Sequence, residues 1–134
     1  MSIRPVSDMV AAANAEVAHM PAADALALHG QEGITFVDLR DPRELSRDGM
    51  IPDAFHATRG MLEFWIDPTS PYAKEVFQSG NRFVFYCASG WRSALAAKAA
   101  QDMGLQNVSH IEDGFVGWKK AGGPIAESPK KSGV

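Results

Sequence analysis

The run Arg82-Phe83-Val84-Phe85-Tyr86-Cys87-Ala88-Ser89-Gly90-Trp91-Arg92-Ser93 joins the strongest strand signal of the chain to its strongest helix signal. Phe83–Tyr86 is apolar at every position, as a central strand covered by helices on both faces requires. From Ser93 to Met103, Leu95, Ala99 and Met103 recur at i, i+4 and i+8, while Lys98, Gln101 and Asp102 are polar. Gly104 follows where a left-handed helix stop belongs. The order is therefore strand, cysteine, tight loop, helix, which is one half of a parallel βαβ crossover.

The same alternation continues on both sides. Strand signals lie at Glu16–His19, Thr35–Asp38, Ala54–Ala57, Arg82–Tyr86 and Asn107–His110. Pro21 can open a helix over Ala22–His29, with Gly30 placed to close it. Asp41-Pro42-Arg43-Glu44 has an acidic N-cap, proline at the first helical position and glutamate at the third, a capping box for a short helix reaching Asp48. Ser70-Pro71 repeats the device before Tyr72–Gln78, and Asp113 can cap a last helix that runs to Lys120. Residues 1–15 form an Ala-rich helical segment, and Glu127–Val134 reads as a polar tail. Strands alternating with helices predict an α/β fold with a mainly parallel sheet.

With 134 residues, the chain has length for one ordinary domain, and 46% hydrophobic against 22% charged residues excludes wholesale disorder. A net charge of -3 gives no global reason to bind nucleic acid or an anionic membrane. No apolar stretch approaches the roughly 20 residues of a membrane span. Met1–Met20 lacks an apolar signal core, so a cytoplasmic location is the expectation. The single cysteine, Cys87, cannot form an intramolecular disulfide, which leaves a free thiol to explain.

In open parallel sheets ligands bind beyond the carboxyl ends of the strands, and Cys87 sits at such an end. A loop turning back into a helix directs successive N–H groups inward, and the helix start adds roughly half a positive charge. Gly90 can take a positive φ, and Arg92 adds a fixed charge. Ala88, Ser89, Gly90, Trp91, Arg92 and Ser93 thus make a candidate anion cradle that favours the thiolate of Cys87. The plain alternative is that Cys87 is a small core hydrophobe, since free cysteine is commonly buried. The glycine, arginine and serine around it tilt the reading toward chemistry. Arg59, just past the third strand signal, is a candidate for attracting an anion to the same sheet edge. His19, His29, His56 and His110 have no metal-ligand spacing and are assigned surface or structural roles. Asp38, Arg40 and Glu44 read as an ion-pair and capping network. Phe115 and Trp118 read as core, and Trp91 as a ring at the pocket mouth.

At these residues the sequence resembles the rhodanese sulfurtransferase family, whose active loop follows C-x-x-G-x-R-S, matched by Cys87, Gly90, Arg92 and Ser93. Val37-Asp38-Leu39-Arg40-Asp41-Pro42-Arg43-Glu44 is similar to the family's first motif, and Gly49-Met50-Ile51-Pro52-Asp53-Ala54 to its G-H-I-P-G-A segment. Gly114-Phe115-Val116-Gly117-Trp118 with Ala121-Gly122-Gly123-Pro124 is similar to its C-terminal signature. Met50 and Asp53 depart from the usual His and Gly. The resemblance spans about residues 16–126, leaving 1–15 as an N-terminal helical extension and 127–134 as a tail.

The resemblance implies a five-stranded, mainly parallel sheet flanked by helices. It also implies a cysteine that takes a sulfane sulfur from an anionic donor such as thiosulfate and passes it to cyanide or a thiol. That is ping-pong chemistry through a Cys87 persulfide, with no cofactor and no metal, and with a protein acceptor as a variant. Two other classes stay open. A Cys-dependent phosphatase or arsenate reductase also sets Cys and Arg on a strand-loop-helix cradle, but the related phosphatases use C-x5-R, whereas Cys87 to Arg92 is C-x4-R. The other class is a non-catalytic module that uses the fold for binding.

Overall fold

The computed structural model describes residues 2–129 and contains a five-stranded, all-parallel sheet flanked by six helices, an α/β fold. The strands are β1 (Ala18–Met20), β2 (Ile34–Asp38), β3 (Phe55–His56), β4 (Arg82–Tyr86) and β5 (Val108–Ile111), in spatial order β1-β5-β4-β2-β3. The helices are α1 (Val6–Asn14), α2 (Ala22–Ala25), α3 (Pro42–Asp48), α4 (Leu62–Ile66), α5 (Trp91–Met103) and α6 (Gly114–Lys120). Among the described residues no helix is long and apolar enough to cross a membrane.

β4 lies in the middle because both of its faces are apolar. Phe83 and Phe85 pack with Ala96, Ala97 and Ala100 of α5 and with Leu62 and Ile66 of α4. Val84 and Tyr86 pack with Phe115 and Trp118 of α6 on the opposite face. Phe85 and Trp118 have no exposed surface, and each fully buried large side chain contributes about 1.5–3 kcal/mol. Because β2, β4 and β5 run parallel, their C-terminal ends share one edge of the sheet, with Asp38 opposite Tyr86 and Phe85 opposite His110. Cys87 leaves the sheet at that edge.

Several boundaries move for identifiable reasons. Val17 N–H still bonds the Ala13 carbonyl as α1 unwinds, so β1 starts at Ala18 rather than Glu16. Asn107 is left-handed (φ 59°), which delays β5 to Val108. Ala54 N–H closes a turn on Ile51, and β3 shrinks to Phe55–His56. The expected helix over Ala22–His29 is α2 followed by a 3-10 turn at Leu26–Leu28. The expected helix over Tyr72–Gln78 is corrected to a 3-10 turn at Glu75–Gln78, because Lys74 is extended and its N–H bonds the Trp65 carbonyl. The sequence reading left out α4, whose Leu62 and Ile66 are both buried.

Two further corrections bear on packing. α5 starts at Trp91, and its buried face is Ser93, Ala94, Ala96, Ala97 and Ala100, while Met103 is exposed. Small side chains let this helix lie close to the sheet, and Leu95 instead packs partly against Val10 and Ala13 of α1. Asp113 does not cap α6. Its carboxylate accepts from Ala22 N–H at 2.7 Å and ties the start of α2 to the start of α6.

The capping box at α3 forms as read: the Asp41 carboxylate accepts from Arg43 N–H, and the Glu44 carboxylate accepts from Asp41 N–H. Asp53 adopts φ 66°, the conformation a glycine supplies freely, and aspartate is among the few other residues that tolerate it. Met50 exchanges two backbone hydrogen bonds with Ala126, which ties the end of the described chain to the α3–β3 connection. Of the expected polar tail, residues 130–134 lie outside the described residues.

Candidate active site

Cys87 follows β4 directly and is buried, with 1% of its surface exposed. Gly90 stands at the N-cap of α5 in a left-handed conformation (φ 99°), which turns the chain back so that N–H groups face the sulfur. Gly90 N–H lies 3.2 Å from Sγ and Ser93 N–H 3.4 Å, so two amides of the short ring converge on it. The first-turn amides of a helix have no carbonyl within the helix to bond, which makes this end of α5 a donor-rich wall.

The outer side of the loop is held by the connection from β5 to α6. Phe115 N–H bonds the Cys87 carbonyl at 2.8 Å, and Val116 N–H bonds the Ala88 carbonyl at 3.1 Å. With those carbonyls held outward, the intervening amides are free to turn inward. The fit is close. A Cβ at Gly114 would overlap the Ala88 and Cys87 carbonyls, and one at Gly90 would overlap the carbonyl of Glu112. The glycine at each position is therefore required by space as well as by φ.

The charge arrangement is more enclosed than the sequence suggests. The Arg92 guanidinium makes a two-pronged ion pair with Glu44, at 2.8 and 2.9 Å, and so is not a free positive charge. Arg92's hydrogen bonds hold the Glu44 carboxyl below the usual carboxylate range, outweighing burial. Asp38 and Arg40 form a second, fully buried pair, with Arg40 also donating to the Gly49 carbonyl and lying 4.4 Å from the Phe115 ring centre. Asp38, Arg40 and Glu44 are thus the ion-pair and capping network read from the sequence, with Arg92 as an additional member.

Ser93 Oγ lies 3.6 Å from Sγ and 2.9 Å from His110 Nδ1. His110 Nε2 lies 2.7 Å from Asn14 Oδ1. Burial, reinforced by nearby His19, lowers the His110 imidazole to about 4, so the ring is neutral at physiological pH. The sequence reading gave His110 no link to the cysteine, yet one hydroxyl separates them. The signal lay in sheet position: His110 is near the C-terminal end of the strand beside β4, paired with Phe85, whose face is turned to α5.

The remaining expectations are placed as follows. Ala88 is partly buried, Ser89 exposed, and Trp91 half exposed. Phe115 and Trp118 are core. Arg59 pairs with Glu63 at 2.8 Å and shares a groove with Arg4, Leu95 and Lys98 along α5. His29 bonds the Pro52 carbonyl, His56 the Arg40 carbonyl, and His19 the Glu112 carboxylate.

The Glu44–Arg92 pair has a testable pH signature. A carboxyl lowered on folding contributes stability above its unfolded value and loses it as pH falls through the folded value. Glu44→Gln is expected to lower Tm near neutrality, with the gap to the unmodified protein closing below about pH 4. A gap in the melting curves that persists undiminished in acid would contradict this role.

The family model for the rhodanese-like domain matches residues 21–121. A Rhodopseudomonas palustris protein of unknown function, described as a possible tyrosine phosphatase, superimposes with a TM-score of 0.91 at 58% identity, covering 94% of this chain and 98% of that one. The polysulfide-sulfur transferase homodimer of Wolinella succinogenes superimposes with a TM-score of 0.68 at 25% identity, over 94% of this chain and 90% of that one. The dual specificity phosphatase Cdc25 of Arabidopsis thaliana is 29% identical over 127 residues, covering 86% of this chain and 84% of that protein.

Proposed function

The chain belongs to the rhodanese-like domain family, and from that premise we propose that it is a sulfurtransferase in which Cys87 carries the sulfur. The fold supports sulfurtransferase or related cysteine-based activity, and the relatives' names divide between the two. The observation that carries the sulfur-transfer reading is the size and commitment of the ring. Six residues run from Cys87 to Arg92, and both prongs of Arg92 are engaged by Glu44. A phosphate needs donors around a tetrahedron of oxygens, ideally with a free arginine fork. A persulfide adds one atom beyond Sγ and needs only the inward amides.

In the first half-reaction the Cys87 thiolate attacks the outer sulfur of thiosulfate. The new bond is Sγ–S, and the S–S bond of the donor breaks with its electron pair leaving on sulfite. The charge then resides on the terminal persulfide sulfur, within reach of the ring amides. In the second half-reaction cyanide or a thiolate takes that sulfur and the Cys87 thiolate is regenerated. Ala88, Ser89 and Gly90 form the ring, Ser93 supplies an amide, and Trp91 flanks the entrance. Arg92 contributes through the pair that anchors α3 to α5, while Arg59, engaged by Glu63 in a groove that includes no residue of the loop 87–93, is given no part in the reaction. Cyanide stands in for the physiological acceptor, a small thiol or a protein thiol, at a cytoplasmic site.

The deciding experiment measures two activities of the unmodified protein. Thiosulfate followed by cyanide is expected to yield thiocyanate, while aryl-phosphate hydrolysis stays at background. Robust phosphate release without a persulfide would favour the phosphatase named among the relatives.

A further inference from the structure

We propose that Asn14, His110 and Ser93 form a positioning chain that presents the lone pair of the Ser93 hydroxyl, and not its proton, to Cys87. Amide oxygen accepts and cannot donate, so His110 Nε2 carries the ring proton and donates it in a hydrogen bond to Asn14 Oδ1 at 2.7 Å. A neutral ring then has a bare Nδ1, and the Ser93 hydroxyl, 2.9 Å away, donates to it. What faces Sγ at 3.6 Å is a hydroxyl oxygen that can only accept. It favours the thiol S–H over the thiolate, against the two backbone amides that favour the anion. The fixed end of the chain is in α1, which lies ahead of the matched family segment at 21–121. The N-terminal helix therefore reaches the reactive sulfur through three hydrogen bonds. On the sulfur-transfer reading this has a direction: once the charge sits on the outer sulfur, Sγ is neutral and the lone pair no longer opposes it. The persulfide is spared a penalty that the thiolate bears.

The titratable and charged groups around this relay are His19, hydrogen-bonded to Glu112 and with its imidazole 5.9 Å from that of His110, and Arg92 with Glu44 beside the loop. Asn14→Asp separates the relay from simple electrostatics. A carboxylate accepting from Nε2 favours the doubly protonated ring. The Sγ–H proton passes to Ser93 Oγ, Ser93 gives its own proton to Nδ1, and the hydroxyl ends pointing at the thiolate. An added negative charge acting directly would instead disfavour the thiolate.

The test is the pH dependence of Cys87 alkylation by iodoacetamide, followed by intact mass, which does not depend on which reaction the protein catalyses. Asn14→Asp is expected to lower the midpoint by about one pH unit, a roughly tenfold faster reaction below it. Asn14→Leu, which releases the ring to exchange tautomers, should shift it the same way by less. In the Ser93→Ala background neither substitution should lower the midpoint. Midpoints unmoved or raised by both substitutions with Ser93 present would overturn the proposal, as would a downward shift that survives Ser93→Ala.

Discussion

Cys87→Ser is expected to abolish sulfur transfer, with a loss of at least about 10³-fold, while Tm changes little. Serine keeps the shape of the side chain and fills the same buried space at the end of β4. Its hydroxyl is far less acidic than a thiol and forms no stable bond to a sulfane sulfur, so neither half-reaction proceeds. Intact mass gives the direct check. The unmodified protein should gain one sulfur atom from thiosulfate and lose it to cyanide, and the variant should gain none. Because the chain holds one cysteine, no internal thiol can release the sulfur, and donor alone should leave the protein stalled as the persulfide. Thiocyanate formation by the variant above background would remove Cys87 from the mechanism.

Gly90→Ala is the second large effect, and it strikes both stability and chemistry. The residue holds φ 99°, and a Cβ there would run into the backbone carbonyl of Glu112, which has no flexible end to move aside. Together the strain and the overlap are expected to cost about 3 kcal/mol, a fall in Tm of about 10 °C in a chain of this size. Any relief must push the loop away from the β5–α6 connection and carry the Gly90 N–H with it. That amide is the shorter of the two contacts to Sγ, and loss of one such preorganised donor lowers turnover by about 10²–10³-fold. Gly60→Ala is the control, since its Cβ would meet open space. Unaltered melting and turnover in Gly90→Ala would show that the tight turn is not what holds the ring.

The parts of this molecule that sequence reveals are those whose cause is local. β4 matches its expected limits, Arg82–Tyr86, because apolar residues on both faces leave no alternative period. The helix at Asp41-Pro42-Arg43-Glu44 is legible because a capping box is chemistry among four neighbouring residues. Cys87, Gly90 and Ser93 are legible as a ring for the same reason. Other features are set by partners distant in sequence. The inner face of α5 is a stripe of alanines, whereas the leucine that marks the apolar period faces α1. Arg92 reads as a free cation until Glu44, 48 residues earlier, is brought against it. His110 reads as a structural histidine until β5 is laid beside β4 in register. Asp113 reads as a helix cap until the start of α2 comes within 2.7 Å of its carboxylate.

The backing of the cysteine loop by the β5–α6 connection also orders events during synthesis. Chains emerge from the N-terminus at about 5–20 residues per second and fold as their partners become available. β2, β4 and the whole C-x4-R loop leave the ribosome before Glu112, Phe115 and Val116, which hold that loop in shape. β1, although made early, has β5 as its sheet partner and must wait for it. The nascent chain thus carries Cys87 in an unbacked loop until the segment from β5 to α6 arrives. The loop takes its final shape only when the β5–α6 connection closes over its back.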